Sequence, residues 1–192
     1  MANLNAIVVT GTPGVGKTTV SKLIAQQKGF RIIELNALAK EGRIEGKDPE
    51  RDAMIVKPRA IKAALKKVLK GSRDTFLIEG HFGEIVPQEY VKLAIVIRID
   101  PELLKERLAE RGYAESKIKE NVEAELVDSC LIGAMDAFGE ERVREIDATS
   151  LSQEALVGEI SAAIDGKGGL PVGSVNWIAK LEKEGRIQRL LR

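Results

Sequence analysis

The chain has 192 residues, enough for one substantial core, and its 30 basic and 29 acidic residues nearly cancel, so no global charge points to nucleic acid or a membrane surface. Aromatics are only 4%, and the 44% apolar content is mostly Ala, Ile, Leu and Val, which suits an α/β core. The single cysteine, Cys130, excludes an internal disulfide; with no basic leader and no run of roughly 20 apolar residues, the expectation is a cytoplasmic protein with no membrane partner.

Short Ile- and Val-rich runs alternate with stretches of helical period. "AIVVT" (6–10) is continuous, short and β-branched, which predicts a buried strand. "KTTVSKLIAQQKG" places Val20, Leu23 and Ile24 on one helix face and stops at Gly29. "FRII" (30–33) predicts a second strand. The segment 35–57 that follows is polar, carries Gly42, Gly46 and Pro49, and reads as a mobile insertion. "PRAIKAALKKVLKG" (58–71) opens on Pro and closes on Gly, with Ile61, Leu65, Val68 and Leu69 along one face.

"DTFLIEG" (74–80) and "KLAIVIRID" (92–100) predict two more strands, and "DPELLKERLAERG" a helix capped by Asp100. One long helix is expected over 116–137, with Ile118, Val122 and Leu126 recurring every fourth residue and Cys130 as core filling. "RVREIDA" (142–148) alternates as a fifth strand, backed by a helix over 152–164. Strands alternating with helices imply a parallel sheet covered on both faces. The tail, 166–192, reads as a Gly-rich linker and a basic helix with Val175, Ile178 and Leu181 on its stripe and Trp177 off it. A docked helix is the expectation there, ahead of a partner-binding arm.

"TGTPGVGKTTV" (10–20) carries the chemistry. Gly11, Gly16, Lys17 and Thr18 satisfy G-x-x-x-x-G-K-[ST] between a predicted strand and a predicted helix. Gly14 and Gly16 let the backbone turn its N–H groups inward around Val15, and the helix start, with Thr19 in its first turn, adds positive potential. Lys17 supplies a charge at the outer phosphates, and Thr18 offers a hydroxyl to magnesium. Magnesium also needs a carboxylate at a neighbouring strand end. Glu79 in "FLIEGH" ends an apolar run, where a charge is costly unless it faces a cation; Asp100 is better explained as a cap. His81, the sole histidine, stands two residues beyond Glu79 and as neutral imidazole could orient a water or a phosphate oxygen. Arg107 and Arg111, four apart, could neutralise a transferring phosphoryl group, against a plain surface reading in which they pair with Glu110 and Glu115. A second group of cations is Lys40, Arg43, Arg51 and Arg59. No Asn-Lys-x-Asp guanine motif occurs, which weighs against a regulatory GTPase, and the balanced charge weighs against a DNA-binding module.

"GTPGVGKTT", "EGRIEGKDPERD", the strand-end "EGH" and "RLAERGYAESKIKENVEAE" together resemble the atypical adenylate kinases of archaea and the eukaryotic nucleus, a group that includes the coilin-interacting nuclear ATPase; the likeness covers about residues 4 to 165. The resemblance implies a P-loop nucleoside monophosphate kinase fold with a central five-stranded parallel sheet, in a domain over 1–165. Within it, 35–57 would be the flap that binds the monophosphate and 110–120 a short lid. It implies ATP and Mg2+ as ligands and transfer of a phosphoryl group to AMP or a related monophosphate. It also implies ATP hydrolysis linked to assembly of the small ribosomal subunit, with a platform protein of that subunit as partner. This chain departs from the family in two places. It has Glu79-Gly80-His81 where relatives commonly have Asp-x-His, and Lys40 where they carry an arginine, which keeps the charge but loses the bidentate phosphate contact.

Overall fold

A computed structural model of the chain describes residues 4–40, 44–48, 53–168 and 171–190. Five strands form one parallel sheet: β1 (Ala6–Thr10), β2 (Arg31–Glu34), β5 (Phe76–Glu79), β6 (Val91–Arg98) and β7 (Val143–Asp147), in the order β2-β5-β1-β6-β7. All five predicted strands are present, each within two residues of its expected ends. Alternation along β1 sends Ala6 and Val8 to one face and Ile7 and Val9 to the other, so the sheet has a core on each side. Helices α3 (Pro58–Leu69) and α6 (Ser129–Phe138) cover the first face through Ile61, Leu65, Leu131 and Phe138. Helices α1 (Lys17–Lys28), α4 (Pro101–Glu110) and α7 (Gln153–Ile164) cover the second through Val20, Ile24, Leu104, Leu108 and Ile160.

Because the strands are parallel, β1, β5, β2 and β6 all end at one edge, bringing Thr10, Glu79, Glu34 and Arg98 together there. That edge is where open α/β sheets bind ligands. The inserted segment contributes α2 (Leu35–Lys40) and an antiparallel pair, β3 (Ile44–Asp48) with β4 (Ala53–Val56). The Lys40 side chain, Arg43 and Arg51 lie outside the described residues, and Arg59 is exposed at the start of α3.

The expected long helix is two helices, α5 (Glu115–Leu126) and α6. The break is at Asp128, whose backbone is left-handed at φ 57°, a conformation that Asp tolerates better than most residues. Arg98 causes it. The guanidinium takes the Glu125 carbonyl at 2.9 Å and the Asp128 carboxylate at 2.5 Å, so the chain turns around the cation instead of continuing the helix. Arg98 is itself buried and also reaches Glu125 Oε1 and Glu145 Oε1, both at 2.7 Å. Burial works against its charge, but Glu125 and then Asp128 more than offset this and raise its pKa above the ordinary range.

The tail is also divided, into α8 (Trp177–Lys183) and α9 (Ile187–Leu190). The expected stripe is rotated: Trp177 is buried and Ile178 is exposed. Trp177, Leu181 and Leu190 pack with Val122 and Leu126 of α5 in a third apolar cluster. Arg186 then joins Asp100 at 3.0 Å and Glu102 at 2.8 Å, on the first turn of α4.

Arg98→Met should lower stability by about 3–5 kcal/mol, because it leaves Glu125 and Glu145 buried without their cation. The shift of the urea midpoint measures this, and a loss below about 1 kcal/mol would mean that the carboxylates are satisfied without Arg98.

Candidate active site

The turn after β1 is shaped by where its glycines lie. A side chain at Gly14 would come within 2.8 Å of Leu104 Cδ1, so the loop packs directly on α4. Gly16 has open space around it, but its φ of 104°, at the N-cap of α1, is one that other residues rarely adopt. Val15 is buried in the core below, and Thr18 and Thr19 are exposed on the first turn of the helix. Amides at the start of a 12-residue helix therefore face the carboxyl edge of the sheet, an arrangement suited to anions.

Lys17 is buried in this turn, with Nζ donating to the carbonyls of Gly11 (2.7 Å) and Thr12 (3.0 Å). Burial pulls its pKa down to about 8 despite the nearby Glu79 and Glu125, and Arg111 adds to the depression. Arg111 is exposed at the end of α4 yet close enough for its charge to be felt by Lys17. Arg107 is half-buried one turn earlier. Neither arginine pairs with Glu110 or Glu115, and neither forms an ion pair among the described residues.

Glu79 is buried at the end of β5, and the Thr18 hydroxyl donates to its Oε2 at 3.3 Å. Burial raises its pKa; Lys17 opposes the rise and Glu34, its register partner on β2, adds to it. Glu34 is held by Lys22 at 2.9 Å. Among the described residues Glu79 has no ion pair, and no three His, Cys, Asp or Glu side chains could hold a metal unaided. A hydroxyl and an unpaired buried carboxylate are the hard oxygen donors that magnesium takes when a nucleotide supplies further ligands. Asp100 is engaged elsewhere, capping α4 through the Glu102 amide (2.9 Å) and receiving Arg186.

His81 follows Glu79 at the same edge, its ring against Phe82. Burial, with the charges of Lys17 and Lys117, lowers its pKa to about 4, so the imidazole is neutral at physiological pH. Cys130 packs on the core as expected, but its thiol also donates to the His81 carbonyl at 3.8 Å, and burial raises its pKa while Lys17 opposes.

Two site residues escape a reading of local motifs. Thr12, inside the loop, is buried and donates to Glu125 Oε2 in a short hydrogen bond. Glu125 in turn joins Arg98 and Trp177. The signal lay in the charges inside apolar strand runs, Arg98 in "AIVIRID" and Glu145 in "VREID", which need buried partners.

This fold and this edge define a P-loop kinase architecture. A gluconokinase from Sinorhizobium meliloti superposes with a TM-score of 0.55 at 20% identity, covering 98% of this chain and 99% of its own. A shikimate kinase from Bacteroides thetaiotaomicron gives 0.53 at 16%, over 83% and 98%. At such identities the likeness is one of fold. The family model described as an AAA domain matches residues 7–128. A Pyrococcus abyssi protein named "Putative adenylate kinase" is 40% identical over 172 residues, 89% of this chain and 90% of its own. Proteins of the same name from Natronomonas pharaonis and Methanocaldococcus jannaschii are 38% and 34% identical, each over 91% of this chain and over 99% and 93% of their own. The chain belongs to the family that these archaeal proteins form.

As the only histidine, His81 gives a single set of ring signals in NMR. In the nucleotide-free protein they should titrate near 4 and not at the ordinary 6.5. The folded value lies below the unfolded one, so this contribution to stability is complete above pH 6.5 and lost as pH falls toward 4. A midpoint near 6.5 would show the ring to be solvated.

Proposed function

We propose that the protein is a magnesium-dependent nucleoside monophosphate kinase that transfers the terminal phosphoryl group of ATP to AMP or a related monophosphate. The observation that carries this reading is the convergence of Lys17, Thr18, Glu79 and His81 on one sheet edge, with Arg111 within electrostatic reach of Lys17. The archaeal relatives, each named "Putative adenylate kinase", support the choice of nucleotide.

Each residue has a task that its surroundings suit. Lys17 exchanges its two loop carbonyls for oxygens of the outer phosphates, whose charge restores the full protonation that burial weakens. The loop residues from Gly14 to Thr19 hold the phosphate chain through their amides. Thr18 and Glu79 would hold magnesium, which when bound would supply positive charge to offset that of the phosphates. Arg111, with Arg107, closes over the transferring group and offsets the charge on its oxygens. In the transfer, the bond from the terminal phosphorus to the bridging oxygen of ADP breaks and a bond to a phosphate oxygen of AMP forms, giving two ADP. Residues 35–57 serve as the flap over the acceptor and 110–120 as a short lid.

His81 favours a second activity, hydrolysis of ATP. An AMP phosphate is largely a dianion at neutral pH and attacks without losing a proton, whereas water must be oriented and must lose one. An imidazole with a pKa near 4 is a weak base but a competent hydrogen-bond partner for that water. In this reading the platform protein of the small ribosomal subunit is the partner that uses the resulting conformational change.

With ATP, magnesium and AMP, ADP and free phosphate should be followed separately. The kinase reading expects two ADP per ATP consumed and little phosphate; phosphate release that AMP does not alter would make water the true acceptor. Lys17→Ala should lower both activities by roughly a hundredfold or more. His81→Ala should cut hydrolysis about tenfold and leave transfer within about threefold, and an equal loss in both would remove its special role.

A further inference from the structure

The phosphate chemistry leaves one arrangement unexplained. Trp177 lies in the C-terminal segment, far along the chain from the phosphate loop, yet its indole N–H donates to Glu125 Oε1 at 3.0 Å. Arg98 Nε (2.7 Å) and the Ile99 amide (3.4 Å) converge on the same oxygen. With Oε1 held by three donors, Oε2 is turned toward the loop, where it accepts from Thr12. The Thr12 carbonyl is one of the two that receive Lys17. A continuous hydrogen-bonded path therefore runs from Trp177 through Glu125 and Thr12 to Lys17.

The tail enters this network twice. Two residues before Trp177, the Val175 amide donates to Glu145 Oε2 at 3.2 Å, while Glu145 Oε1 holds Arg98. Each of the two buried glutamates joined by Arg98 thus takes a hydrogen bond from the tail. One guanidinium shared among Glu125, Glu145 and Asp128 leaves negative charge in excess, and the neutral donors of the tail and of Thr12 meet it. Packing against Val122, Leu126 and Leu181 explains why the Trp177 ring is buried, but not why its N–H points at Glu125.

We infer that the C-terminal segment is a working part of the nucleotide site: Trp177 is a positioning residue that orients Glu125, and through it Thr12 and the phosphate loop, to receive the triphosphate. The inference rests on the proposed function of the loop as an ATP site. It predicts that the tail senses whether the loop is filled, although it touches no phosphate.

Trp177 is the only tryptophan, so intrinsic fluorescence of the full chain reports on it alone. Magnesium and ADP should be titrated in parallel by calorimetry and by Trp emission. The emission should change and saturate together with the heat. Thr12→Ala should bind ADP about three- to tenfold more weakly, and at saturating ADP its emission should no longer respond. Trp177→Phe keeps a ring and loses the N–H. It should raise KM for ATP about three- to tenfold, with kcat and the KM for AMP within about twofold. Heat without an emission change, a response that survives in Thr12→Ala, or an unchanged KM for ATP in a folded Trp177→Phe each overturns the inference. If Trp177→Phe does not fold, the comparison of wild type with Thr12→Ala decides. Absence of any heat would overturn the ATP reading itself, and this inference with it.

Discussion

A guanidinium at the end of a central strand, sealed from water, cannot be left with unmet donors, and much of the structure is arranged to answer it. Arg98 gathers Glu125 from α5, Asp128 from the turn after it and Glu145 from β7. In doing so it fixes where one helix stops and the next begins, and how α5 stands against the sheet. Such a cluster is not in itself a source of stability, since desolvation cancels much of the attraction. What it supplies is a definite geometry, because few placements of three carboxylates around one buried cation satisfy every oxygen. Thr12 and the tail are attached to that geometry, so the phosphate loop is gripped from the side as well as resting on the helices below.

The carboxyl edge has a common electrostatic character. Burial pushes Lys17, Glu79 and His81 toward their uncharged forms. In the proposed reading, anionic phosphates would restore the lysine and a divalent cation would restore the carboxylate, so the pair of ligands would suit the site better than either alone. His81 differs, because a cation brought nearby only reinforces its neutrality. The same desolvation therefore leaves two groups that a charged ligand would restore and a third that stays neutral.

The parallel sheet was legible because its determinants are local: β-branched runs closed by Gly, Pro and Asp, and helices such as α3 bracketed by Pro58 and Gly71. The turn after β1 was legible for the same reason, since its glycines, Lys17 and Thr18 stand within a few residues. Long-range contacts were not. The apolar recurrence of Ile118, Val122 and Leu126 continues smoothly toward Ala137, and nothing in it reveals that Arg98 would pull Asp128 into a left-handed turn. Trp177 lies inside, off the expected stripe, because helical period alone sets a stripe's spacing and not its rotation, which Glu125 and α5 decide. Arg107 and Arg111 were weighed against surface partners that they do not take, a matter of side-chain direction that spacing leaves open.

The close approach of Gly14 to α4 has a consequence for how the site could evolve. Leu104 and Leu108 lie beneath the loop, and Arg107 and Arg111 belong to the same turns of helix. The floor under the loop and the arm that carries the two arginines are thus one helix. A side chain at Gly14 would press on the ends of Leu104 and Leu108, which must give way, so the residue at this loop position and the packing of the helix that carries the arginines are constrained to change together.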